Sequence, residues 1–135
     1  MKAILYPMIA LVFWTFAVLL LVPRARFRAV RARLARASDF ACGESANVPE
    51  ETRLPNRNYM NLLELPVLFY VACLTLFAIG RVDPWCLGLA WAYVLLRVAH
   101  SAVHLTYNNV IHRMRIFALS VLVLVVLWVR VALLV

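Results

Sequence analysis

Four apolar runs, Ala3–Val22, Tyr59–Ile79, Trp85–Leu105 and Ile116–Val135, take up most of this 135-residue chain. Each is close to the ~20 residues a helix needs to cross ~30 Å of hydrocarbon. Inside lipid every backbone N–H and C=O must find a protein partner, which leaves helices or a closed barrel as the spanning structures. The runs are apolar on all sides and lack period-2 alternation, so the barrel is excluded. The predicted fold class is therefore all-α integral membrane: a four-transmembrane-helix bundle forming one domain over residues 1–135. Helices are expected at about 3–22, 59–79, 85–105 and 116–135, with a basic extension and loop over 23–58. The hydrophobic share of 66% agrees, since soluble domains hold about half.

The first run follows Lys2 but is too long for the core of a secretory signal, and no small-residue cleavage pattern comes after it. It is read as a retained helix, with Pro7 tolerated near its start. Orientation follows from arginines, which concentrate on cytoplasmic flanks. Arg24, Arg26, Arg28, Arg31, Arg33 and Arg36 follow the first run, Arg53 and Arg57 precede the second, and Arg113 and Arg115 separate the third from the fourth. The connection between the second and third runs has only Arg81, offset by Asp83. Both termini are thus expected on the non-cytoplasmic side and the long basic loop in the cytoplasm. The net charge of +8 is read as a topology signal; no aromatic-studded basic groove accompanies it, so nucleic acid is not an expected partner. Usage rich in arginine and alanine and poor in lysine points to a bacterial source, hence the inner membrane.

Within RARFRAVRARLARA, Phe27, Val30 and Leu34 fall on one helical face, so the first helix should continue past Pro23 with its arginines against anionic headgroups. Ser38–Pro55 carries Gly43, Pro49 and Pro55 without periodicity and reads as a loop. Gly80–Pro84 allows only a tight turn, making the second and third helices antiparallel neighbours. Tyr107, Asn108 and Asn109 form a turn before the fourth run. Cys42, Cys73 and Cys86 are no disulfide framework, and the last two are expected to act as small apolar residues.

Charges inside the apolar runs are costly and mark function. Arg57, Asn61 and Glu64 sit at i, i+4 and i+7 of the second helix, and Arg97, His100 and His104 at i, i+3 and i+7 of the third, with Tyr107 continuing that stripe. The two stripes are expected to face each other, Glu64 opposite Arg97, at the end that carries Arg113. A buried ion pair that only fixes register would explain Glu64 and Arg97 but not the other polar groups. A metal on His100, His104 and Glu64 is disfavoured because Arg97 shares their face. Excess cation beside one carboxylate suits a small ligand carrying carboxylates and an ammonium. Arg130, near the far end, is expected to snorkel to headgroups.

The segments RNYMNLLELPVLFY (Arg57–Tyr70) and AWAYVLLRVAHSAVHLTYNNVIHR (Ala90–Arg113) resemble the MAPEG family, the membrane-associated proteins in eicosanoid and glutathione metabolism. The resemblance implies a homotrimer of four-helix bundles that binds glutathione as cosubstrate between subunits, in the cytosolic half. It implies glutathione contacts from Arg57, Asn61, Glu64, Arg97, His100 and His104, and Arg113 as the catalytic residue that stabilises the thiolate. His104 stands where a tyrosine is common, and Met60 where eicosanoid-synthesising members carry a second arginine. The expected function is a glutathione-binding membrane protein, a transferase or peroxidase acting on lipophilic electrophiles drawn from the bilayer. The alternative is a non-enzymatic bundle whose polar stripes serve assembly or bind another amphiphile.

Overall fold

The computed structural model describes residues 2–135. After a short 3₁₀ turn at Lys2–Ile4 come five helices: α1 (Leu5–Arg31), α2 (Glu50–Glu64), α3 (Pro66–Ala78), α4 (Pro84–Leu105) and α5 (Val110–Leu134). Helices α2 and α3 meet end to end and act as one span, so four helical segments are long and apolar enough to cross a membrane. No strand occurs among the described residues. The break at Leu65 follows from Pro66, which has no N–H to return to the Leu62 carbonyl and so starts a new helix instead of continuing the old one.

Hydropathy locates the hydrocarbon rather than the ends of helices. α1 runs to Arg31, and α2 begins at Glu50, nine residues before the apolar run, because a helix crossing the headgroup layer meets no physical reason to stop there. The intervening loop folds onto α1. Arg26 donates to Glu44 at 3.4 Å and lies 5.2 Å from the Phe40 ring, while Asp39 accepts from the Arg36 N–H at 2.8 Å and from Ser45 at 3.0 Å. The Arg36 N–H foremost, and then the Ser45 hydroxyl, hold the Asp39 carboxyl below its ordinary value. The apolar face expected on the extension does not pack inward: Phe27 is 71% and Leu34 60% exposed, whereas Ala25 and Ala29 are buried. Small residues let α1 approach α2 closely, and the bulkier ones are left outside.

α1 packs chiefly on α2, and α4 on α5, with α1 also touching α4 and α3 touching α5. The core runs through Leu11, Val18, Leu62, Phe69, Leu76, Tyr93, Leu124 and Leu127. At its centre Phe69 and Tyr93 stack with ring centroids 4.7 Å apart. Large apolar side chains such as Phe13, Leu20, Leu95, Leu122 and Val129 point outward, as a lipid-facing exterior requires. Cys73 and Cys86 are buried and Cys42 is exposed.

Two side chains start the last two helices. Asp83 caps α4, accepting from the Cys86 N–H at 2.7 Å with Pro84 in the first turn. Asn109 caps α5, accepting from the His112 N–H at 3.0 Å. Arg130 does not extend freely to headgroups, because Asp83 lies within reach and accepts from its Nε at 3.1 Å and its NH2 at 2.5 Å. The Cys86 N–H, then Arg130, bring the Asp83 carboxyl down to about 2.

Candidate functional site

At the arginine-bearing end, α2, the end of α4 and the start of α5 enclose a cleft of about 270 Å³ lined by Asn56, Arg57, Met60, Asn61, Glu64, His104 and Arg113. The helical period of α2 explains its side of the cleft: positions 57, 61 and 64 recur on one face, and that face turns away from the core. The opposite wall depends on the turn after α4. Asn108 adopts φ 43°, a left-handed conformation that asparagine tolerates better than most residues. The chain thereby reverses, and Arg113 enters on the first turn of α5 with NH1 donating to the Asn108 carbonyl oxygen Oδ1 at 2.7 Å.

Arg57 and Glu64 form no ion pair among the described residues, where the two pairs are Arg26–Glu44 and Arg130–Asp83. Asn61 donates to the Arg57 carbonyl at 3.1 Å, leaving its side-chain oxygen free to accept. His104 is 2% exposed, and neither ring nitrogen has a hydrogen-bond partner. A buried imidazole without partners is costly unless something else supplies them. Two guanidinium groups, one carboxylate, two amides and an imidazole thus surround the space, their charges uncommitted to one another.

A family model described as the MAPEG family matches residues 4–133 of the chain. The chain belongs to the MAPEG family. No curated protein and no solved structure matches it.

Of the seven residues that the sequence marks for a MAPEG-type site, five line the cleft: Arg57, Asn61, Glu64, His104 and Arg113. Arg97 and His100 do not. Arg97 is fully buried, with its guanidinium 5.0 Å from the Phe117 ring and 5.5 Å from the Tyr93 ring, and its Nε donates to the Tyr93 hydroxyl at 3.1 Å. It therefore does not meet Glu64, which is exposed, and the expected Glu64–Arg97 pair is absent from the chain. The reason is axial: position 97 lies 7 residues before 104, about 10 Å deeper along α4, where it meets Phe117 of α5, while His104 at the end of the helix reaches the cleft.

His100 lies beneath the cleft. Its Nδ1 is 3.2 Å from the Arg113 carbonyl oxygen, and since a carbonyl only accepts, Nδ1 carries the proton. The His100 ring also lies 5.8 Å from Phe117. Phe117, which sequence reasoning passed over as one more apolar residue, thus touches both Arg97 and His100 and seats α5 against α4 one turn after Arg113. Its spacing of i+4 from Arg113 was the available signal. Tyr107 leaves the stripe altogether, since it is 62% exposed and pairs with His112 at 3.2 Å. Asn58 and Ser101, also unmarked, are buried and bond to each other at 3.1 Å, tying α2 to α4 behind the cleft. Among the described residues no group of three or more metal-ligating side chains comes together.

Proposed function

We propose that this MAPEG protein binds glutathione in the cleft and activates its thiol for attack on lipophilic electrophiles. The observation that carries the reading is the set of unpaired charges there, two cations and one carboxylate around a cleft with a partnerless imidazole at its back. Glutathione has carboxylates, which suit the fork of Arg57, and one ammonium, which suits Glu64, and this leaves Arg113 for the sulfur. A thiol with a pKa of ~8.5 is mostly protonated near neutrality, and a guanidinium beside it favours the thiolate. The proton leaves to water at the open mouth. The sulfur electron pair then forms a C–S bond to the electrophile as the bond to its leaving group breaks and that group departs with its electrons.

The size of the cleft supports assembly. Ligand pockets usually exceed roughly 300 Å³, and this one, at about 270 Å³, is open along one side. A homotrimer in which a second copy closes that side is the reading we adopt.

Calorimetric titration of glutathione into the detergent-solubilised protein tests binding, and ultraviolet absorbance of the thiolate tests activation. Arg113→Ala should keep the fold and assembly, modestly reduce affinity, and remove most of the thiolate signal near neutral pH at saturating glutathione. Arg113→Lys should rescue only part of it, since a point charge lacks the planar fork. Equal thiolate fractions in wild type and Arg113→Ala would favour the non-enzymatic bundle instead.

A further inference from the structure

On another face of the same end, α1, the start of α2 and the end of α4 enclose a cavity of about 460 Å³. Arg24 and Arg28, at i and i+4 of α1, line it on one side and Glu51 of α2 on the other, above an apolar wall that includes Leu21, Leu54 and Leu105. The three charges share one space, yet neither arginine pairs with Glu51, since the ion pairs among the described residues are elsewhere. None of these residues lines the cleft that holds Arg113.

We propose that this cavity binds the headgroup of an aminophospholipid: a phosphodiester on Arg24 and Arg28 and a primary ammonium on Glu51. Depth favours a lipid over a soluble molecule. The apolar run ends at Val22 after 20 residues, about 30 Å of helix, so Arg24 and Arg28 stand at the headgroup layer. Arg24 also shares a helical face with Leu20, and Leu20, Phe16 and Phe13 are all more than half exposed, giving an acyl chain an apolar track leading away from the cavity. Phe27 beside them, 71% exposed, is an apolar side chain of the type that helices bury at the boundary between headgroups and acyl chains. Charge complementarity selects the headgroup class. A phosphate with a glycerol headgroup would leave Glu51 facing an anion without a countercharge. A choline headgroup offers charge but no N–H donor. Only the primary ammonium gives the carboxylate a charge-assisted hydrogen bond.

The test uses lipid-stripped protein in detergent, incubated separately with phosphatidylethanolamine, phosphatidylglycerol and phosphatidylcholine and read by native mass spectrometry. Wild type should retain phosphatidylethanolamine roughly tenfold better than the other two, the worth of one charge-assisted hydrogen bond. Glu51→Gln should level phosphatidylethanolamine with phosphatidylglycerol, and Arg24→Ala with Arg28→Ala should abolish retention of all three. These side chains are exposed, so circular dichroism and gel filtration should match wild type, and glutathione titrations should be unchanged. Equal retention of phosphatidylethanolamine and phosphatidylglycerol by wild type, or an unaltered ratio in Glu51→Gln, would overturn the proposal. So would displacement of the lipid by an equal concentration of free phosphoethanolamine, which would mark a soluble ligand. Lost glutathione binding with lipid retention intact would instead make the cavity part of the glutathione site.

Discussion

Glu64 and Arg97 differ in burial, and substitutions should separate them. Glu64 is exposed and makes no ion pair, so Glu64→Gln should leave thermal stability within about 0.5 kcal/mol while weakening glutathione binding. Arg97 is buried with its charge against two rings, and the two residues do not touch. A double-mutant cycle between Glu64→Gln and Arg97→Lys should therefore be additive within about 0.5 kcal/mol; a larger coupling energy, measured by thermal unfolding in detergent, would restore the expected pair. Asp83 does two jobs, and two substitutions divide them. Asp83→Asn keeps the α4 cap and loses the Arg130 ion pair, a change of at most about 1 kcal/mol for a pair this exposed. Asp83→Ala should lose about 1 kcal/mol more, the worth of the cap. The Asp83 carboxyl is lowered to about 2 from 3.8, so its contribution is present above about pH 4 and lost as the pH falls through 2. Melting temperatures of wild type and Asp83→Asn should converge across that window.

Helices were visible in the sequence as spans, yet their ends and rotations were not. Hydropathy sums over ~20 residues and reports the hydrocarbon, so it found each span while leaving the polar first turns of α2 outside, and it was helical spacing that carried α1 past Pro23 to its arginine-rich end. The extension shows the limit well. Spacing puts Phe27, Val30 and Leu34 on one helical face, but Leu34 lies past the end of α1 and the face that packs holds Ala25 and Ala29, small side chains that let α1 lie close to α2. Ala29→Leu should cost about 1–3 kcal/mol through overpacking and lower the melting temperature, whereas Phe27→Ala should leave it nearly unchanged. The reverse ranking would mean that α1 turns its other face to α2.

The proposed orientation of the whole molecule rests on where the arginines lie, since both the cleft and the phospholipid cavity open at the arginine-bearing end. Cys42 is exposed in the loop at that end while Cys73 and Cys86 are buried, which makes a single-site label practical. A membrane-impermeant maleimide should fail to reach Cys42 in sealed cells and react once vesicles are opened. Rapid labelling in verified-sealed cells would invert the topology and place the cleft on the other side of the membrane.

Composition and periodicity alone determined that this chain crosses a membrane on four helical spans, and the two motif segments pointed to its family, because each property is written within one span. Local spacing also grouped Arg57, Asn61 and Glu64 correctly, since one helix fixes their relative angles. What one span does to another is a different matter. The tertiary structure decided that α5 covers Arg97 with Phe117, that Arg130 finds Asp83 across the bundle, and that Arg24, Arg28 and Glu51 share a cavity without pairing. Those outcomes depend on the rotation and approach of whole helices, set by many weak packing contacts, and no single stretch of sequence carries them.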